Sequence, residues 1–253
     1  MISGEDKQSP SGPALRFEAV TKRYNQLVAI DRLTLDIHSG ELFGFLGPNG
    51  AGKTTAMKLA SGLARPSEGR VFIAGNDVQT DPLEAKRLIG YVPDNPYIYE
   101  GLTGREFLHF CAGLYRMNGR VTVQRVEELL ARLAIGGWID KRVAEYSHGM
   151  KQRVVMASAF LHPARVILID EPMVGLDPAA VRLVKGILRD FCREGGTVFL
   201  STHTLSDAEE LCDRVGIIHQ GRLIACGSLD EVRQDGRRLE DAFLALTNEE
   251  MAS

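Results

Sequence analysis

Nine consecutive residues, GPNGAGKTT from Gly47 to Thr55, carry the densest chemistry in this chain. Glycines at 47, 50 and 52 permit the tight curvature that turns successive amide N–H groups inward, and a helix beginning near Lys53 aims its positive dipole end at the same point. Anionic oxygens are the natural guests of such a cradle. The spacing fits G-x-x-x-x-G-K-[ST] at every fixed position, with Pro48, Asn49, Gly50 and Ala51 filling the variable ones, so the loop predicts a bound triphosphate. Lys53 reaches the β and γ phosphates as a point charge, the Thr54 hydroxyl ligates the accompanying magnesium ion, and Thr55 adds a phosphate contact. The flanks agree: ELFGFL, Glu41 to Leu46, reads as a buried strand, and AMKLASGLA, Ala56 to Ala64, reads as a helix.

Two acids end another apolar run, VILIDEP from Val166 to Pro172. Carboxylates at the C-terminal edge of a parallel sheet stand where ligands bind. Asp170 is suited to the magnesium shell and Glu171 to orienting and deprotonating an attacking water; the plainer alternative is that the acids cap the next loop. Asp177 precedes Pro178 and a helical pattern, so an N-terminal cap is an equal reading there. His203 directly follows the strand-like TVFLST, on the same sheet edge, within reach of a γ-phosphate and its water. In YSHGMKQR, Tyr146 to Arg153, Ser147 and Gly149 at the mouth of a helix repeat the anion-binding logic without a lysine.

These groups need elements to carry them. Strand-like runs at Leu15 to Val20, Val28 to Ile37 and Arg70 to Gly75 make the first third strand-rich. From Thr103 to Ala134 the spacing turns helical, with Phe107, Phe110 and Leu114 marking one apolar face and Val126, Leu129, Leu130 and Leu133 another. Beyond it, the strands at Val166 to Asp170 and Thr197 to Thr202 alternate with helices at Ala179 to Cys192 and Leu205 to Leu211, the pattern of a parallel sheet with crossover helices. VGIIH and RLIACG, joined by Gln220 and Gly221, form a last strand pair before a helical end. The first 13 residues read as a flexible tail, and residues 248–253 as another.

A chain of 253 residues, 44% hydrophobic and 25% charged, supports a substantial core. A net charge of −3 without a Lys/Arg cluster argues against a nucleic-acid binder. No apolar run is long enough to cross a bilayer, and the polar start lacks a secretory signal. Cys111, Cys192, Cys212 and Cys226 show no C-x-x-C spacing and read as buried free thiols.

Taken in order, these motifs resemble the ATP-binding cassette (ABC) family over nearly the whole chain. Gly47 to Thr55 is similar to its Walker A loop, Asp170 and Glu171 to the end of its Walker B strand, YSHGM to its signature LSGGQ, Asp177 to its D-loop and His203 to its switch histidine. Tyr24 is placed like the aromatic that stacks on adenine, or else it is a strand-packing ring. The resemblance implies an α/β P-loop NTPase fold of the ABC type over residues 14–247: a parallel-sheet core, an N-terminal antiparallel β lobe and a helical subdomain at about 97–160. It also implies ATP and Mg2+ as ligands, with Thr54, Asp94 and Asp170 toward the metal and hydrolysis through Glu171 and His203. Two chains, identical or related, would pack head to tail on ATP, so that Ser147, Gly149 and Asp177 of one complete the other's pocket. YSxGM, LTGREFLHF and LEDAFLALT resemble the ATPase subunits of ABC-2 type exporters, implying a separate integral-membrane permease and a place on the cytoplasmic face of the membrane.

The chain departs from that family twice. Asp94 stands where glutamine is usual, which keeps an oxygen for the metal but adds a charge that repels phosphate. His148 and Met150 replace a glycine and the glutamine of the signature. Rival readings are a soluble mechanochemical ABC ATPase, which generally has two cassettes or a coiled-coil insertion, and a P-loop small-molecule kinase.

Overall fold

The computed structural model describes residues 12–233 and 238–251. In chain order the elements are β1 (Leu15–Tyr24), β2 (Leu27–Ile37), β3 (Leu42–Leu46), α1 (Lys53–Ala60), β4 (Glu68–Ile73), β5 (Asn76–Asp77), α2 (Pro82–Arg87) and β6 (Ile89–Val92). Then follow α3 (Gly104–Leu114), α4 (Gly119–Arg132), α5 (His148–Ala159), β7 (Val166–Asp170), α6 (Pro178–Arg193), β8 (Thr197–Thr202) and α7 (Leu205–Leu211). The chain closes with β9 (Arg214–His219), β10 (Arg222–Ser228), α8 (Leu229–Arg233) and α9 (Leu239–Met251).

Two sheets share the load. The first runs β2-β1-β4-β5 and is antiparallel throughout; the second runs β10-β9-β3-β8-β7-β6 and is parallel except for the edge pair β9/β10. Strands β3, β7 and β8 are buried at every residue, as unbroken apolar runs in a sheet covered on both faces must be. Phe199 of β8 lies 5.9 Å from Phe17 of β1 and 5.3 Å from Phe45 of β3 between ring centroids, which welds the antiparallel lobe to the parallel core. Parallel register brings Leu46 beside Thr202, and Asp170 beside Ser201. The phosphate loop, the two acids and His203 therefore leave the sheet at one edge.

Helices α3, α4 and α5 form a second body of side chains around Leu108, Val126, Leu129, Leu130 and Leu133. Here two expectations are corrected. Of the expected face of α3 only Phe107 is buried, whereas Phe110 and Leu114 are exposed and Leu108 and Ala112 face the core instead. Of the four thiols, Cys212 is buried, Cys111 and Cys192 are half-buried, and Cys226, on the edge strand β10, is exposed. The N-terminal tail expected through residue 13 lies, up to residue 11, outside the described residues. Helix α9 continues through Met251, past the boundary expected at 247.

Candidate nucleotide site

The phosphate loop is held by close backbone approach. A Cβ on Gly47 would stand 2.4 Å from the Ile218 carbonyl oxygen, and one on Gly52, whose φ is 115°, would stand 2.6 Å from that of Ala29. No other residue fits either position. Ala51 donates its N–H to Pro48 O at 3.2 Å and accepts from Gly221 N–H at 2.9 Å, so the loop is bonded across to the β9–β10 hairpin. Gly52 ends the loop as the cap of α1, whose free first-turn N–H groups face the hollow that the loop encloses. Lys53 is buried, and its ammonium donates to Gly47 O at 2.7 Å and Pro48 O at 3.2 Å.

That ammonium also lies 3.5 Å from Glu171 Oε1. Glu171 Oε2 in turn stands 2.9 Å from His203 Nδ1 and 3.4 Å from the backbone N–H of His203. Glu171 has a φ of 50°, in a region that costs a non-glycine residue order 1 kcal/mol, and its N–H is fixed by Ser201 O at 3.1 Å. Strain held in this way aims a carboxylate between a cation and an imidazole.

Asp170 is 1% exposed, and Ser201 donates a short hydrogen bond to its Oδ1 while Oδ2 has no partner among the described residues. Burial pushes its carboxyl above the ordinary range; hydrogen bonds from Ser201 and Thr54 oppose the shift, and the charges of Asp94 and Glu171 add to it. An orphaned buried carboxylate oxygen beside the Thr54 hydroxyl fits a hard cation such as Mg2+. The same field acts on Tyr91, whose phenol is raised to about 12, mainly by burial and then by Asp170 and Asp94.

A cleft of about 640 Å³ collects most of the residues singled out from the sequence: Tyr24, Asn49, Gly50, Gly52, Lys53, Thr54, Thr55, Asp94 and Glu171 all line it. Gly47, Pro48, Ala51 and Asp170 support it from behind, through the bonds just given. His203 joins through Glu171. Ser147, Gly149 and Asp177 do not line the cleft. Ser147 instead caps α5, its hydroxyl accepting from Met150 N–H at 3.3 Å, and Asp177 caps α6, accepting from the N–H groups of Ala179 and Ala180, each at 2.9 Å. Those two bonds, led by the one from Ala180, hold the Asp177 carboxyl below the usual range. Sequence reasoning missed Leu27, Val28, Ala29, Gln220 and Gly221 as lining residues. Only the turn at 220 and 221 left a local signal, and local signals do not say which elements a hairpin tip will touch.

The family described as ABC transporter matches residues 30–174. An uncharacterised ABC transporter ATP-binding protein of Nostoc sp. is 42% identical over 209 residues, spanning 82% of this chain and 62% of that protein's length. The bacitracin transport ATP-binding protein BcrA of Bacillus licheniformis is 34% identical over 223 residues, or 87% of this chain and 71% of the relative. A solved ATP-binding subunit of an ABC transporter superposes with a TM-score of 0.88 at 32% identity, covering 92% of this chain and 99% of the other. A cassette solved as a dimer in a post-hydrolysis state with ADP and Pi gives 0.79 at 26% identity, over 85% and 99% of the two chains. With its two-sheet architecture and its phosphate loop at the parallel edge, the chain belongs to the ABC transporter family of ATP-binding proteins.

Proposed function

We propose that the protein binds and hydrolyses ATP to drive a separate membrane-spanning permease. The observation that carries this reading is Glu171, whose carboxylate bridges the buried Lys53 ammonium and His203 at the mouth of a phosphate-shaped cleft. Lys53 exchanges its two loop carbonyls for phosphate oxygens when the triphosphate enters. Glu171 orients a water for in-line attack and accepts its proton, and His203 holds Glu171 and hydrogen-bonds the γ-phosphate. Thr54, Asp170 and Asp94 would hold Mg2+, which would supply positive charge against the phosphates.

Tyr24, 43% exposed at the cleft rim, stacks on the base. Ser147 and Gly149 stand outside the chain's own cleft at an exposed helix start, so they serve the nucleotide of a second cassette, with Asp177 beside them. A like or related chain, packed head to tail, closes on ATP and opens after hydrolysis. The permease docks on a groove of about 1000 Å³ lined by residues 96–102 with Phe110 and Lys151, where Tyr97 is 81% exposed. Among the described residues no helix is long and apolar enough to cross a membrane; the likeness to transporter ATP-binding subunits supports work on the cytoplasmic face through that partner. We infer export as the direction, a reading supported by the likeness to a bacitracin transport subunit and to a probable multidrug transporter subunit of Escherichia coli.

Phosphate release from Mg-ATP by the purified protein, with no added acceptor, tests the hydrolytic reading; absence of release with the permease present removes it. Tyr97→Glu together with Tyr99→Glu should abolish co-purification with the permease while leaving nucleotide affinity intact.

A further inference from the structure

Tyr24 is the last residue of β1, and the turn after it begins at Asn25, whose φ of 53° swings the chain back toward β2. A ring 43% exposed at a strand end loses rotamer freedom when a base stacks on it, unless the protein has already fixed its plane. Lys22 is placed to fix it. The Lys22 ammonium lies 4.8 Å from the centroid of the Tyr24 ring, over its face, and donates to Arg65 O at 2.9 Å.

Lys22 is itself clamped. Thr21 O accepts from Ser67 N–H at 2.8 Å, and Arg23 N–H donates to Ser67 Oγ at 3.0 Å, so β1 is bonded on both sides of Lys22 to the segment that follows α1. Ala64 N–H donates to Lys58 O at 2.9 Å, which ties that segment to the helix whose first turn carries Lys53 and Thr54. A line of contacts therefore runs from the phosphate loop along α1 and residues 64–67 to Lys22 and the ring. Tyr24 lines the nucleotide cleft and Lys22 does not, so the ring turns one face to the ammonium and the other to the cleft.

We propose that Lys22 is a positioning residue for the nucleotide, backing the Tyr24 ring so that its cleft face stands ready to stack on the base. This rests on the nucleotide reading above and deepens it. The ring quadrupole attracts the ammonium to one face. A cation there draws π density toward itself, which leaves the opposite face less negative against the electron-rich face of a base. Stacking on an aromatic ring tolerates every base, so Lys22 adds affinity through Tyr24 without choosing among nucleotides.

The test is a double-mutant cycle read by equilibrium binding of Mg-ATP to the purified protein. Tyr24→Ala is expected to weaken ATP roughly five- to 150-fold, the loss of one base–aromatic stack. Lys22→Met should weaken it about two- to fivefold beside the native ring, and by less than about 1.5-fold in the Tyr24→Ala background. Lys22→Arg keeps a cation on the ring and should hold affinity within about 1.5-fold of the wild type. Equal losses from Lys22→Met in both backgrounds overturn the proposal, because a charge acting on the phosphates, or a role in folding alone, does not need the ring. A gain in affinity overturns it too, since the ammonium would then stand in the place of the base. So does unchanged affinity in Lys22→Met or Tyr24→Ala, or Lys22→Arg binding as weakly as Lys22→Met. Failure of the wild type to bind ATP is a different result, and it removes the nucleotide reading itself.

Discussion

The sheet edge at Lys53 and the start of α5 at Ser147 are both helix starts of the kind suited to anions, yet they are built in opposite ways. At the first, the ammonium and the Asp170 carboxylate are buried, and Lys53, Glu171 and His203 form a chain of contacts within one polypeptide. At the second, Ser147 and His148 are exposed, and the nearest neighbours of Gly149 are Gly175 and Leu176 of the same chain. Neither Ser147 nor Gly149 lines the nucleotide cleft of its own chain. On the proposed reading, one end is a finished site and the other is half of a site. If that reading holds, nucleotide capture and nucleotide turnover are carried by different surfaces and should separate under mutation.

Glu171→Gln presses that separation hardest. The amide keeps the shape but cannot take a proton from water, so turnover should fall about 10²- to 10⁴-fold while ATP affinity stays within a few-fold. Phosphate-release and equilibrium-binding assays on one preparation decide it, and unchanged turnover removes Glu171 as the base. Next in size is the contrast between the two helix ends. Lys53→Ala deletes the buried charge that faces the phosphates and should weaken ATP binding roughly 10- to 100-fold. Ser147→Ala should leave the affinity of the separate chain unchanged but reduce turnover about tenfold. It should also lower stability by about 1 kcal/mol, because the serine caps α5. Equal losses of affinity in the two variants would show that both ends serve one pocket, and the comparison would fail.

How far these surfaces were legible in the sequence follows the same division. Strands Val166–Asp170 and Thr197–Thr202 and helix Leu205–Leu211 have the limits expected from their residues, since a buried strand ending in charged or polar residues has an unmistakable boundary. The phosphate loop was legible for the same reason: its function is local backbone. The face of α3 was not. Phe107, Phe110 and Leu114 fit a helical repeat, yet Phe110 packs edge-on against Tyr99 at 5.8 Å on an exposed groove while Leu108 and Ala112 fill the core. Periodicity marks apolar side chains, and a docking groove needs them as much as a core does. Gln220 escaped for a different cause, because its place in the cleft depends on β9 lying beside β3, a pairing between segments about 170 residues apart.

The seam where the helical subdomain rejoins the core sheet offers the smallest and most local test. His162, between α5 and β7, stacks on Tyr115 just beyond α3 with centroids 3.7 Å apart and planes 9° from parallel. Neither ring nitrogen makes a hydrogen bond of normal geometry among the described residues, and burial lowers its pKa from 6.5 to about 4, opposed by the nearby Ile89 backbone. Between those values the unfolded chain binds a proton that the folded chain refuses. The resulting stability is complete above pH 6.5 and is lost as pH falls toward 4, by roughly 1.4 kcal/mol per pH unit. For a chain of this length that is a Tm difference of about 3–6 °C per unit. His162→Phe keeps the stack and removes the titration, so the gap between its Tm and that of the wild type should change by roughly 4–9 °C over the two units between pH 6.5 and 4.5, with nucleotide affinity at pH 7 unaltered. Parallel Tm curves would mean that the ring accepts its proton in place, and the seam would then be as open to solvent as the signature end of α5.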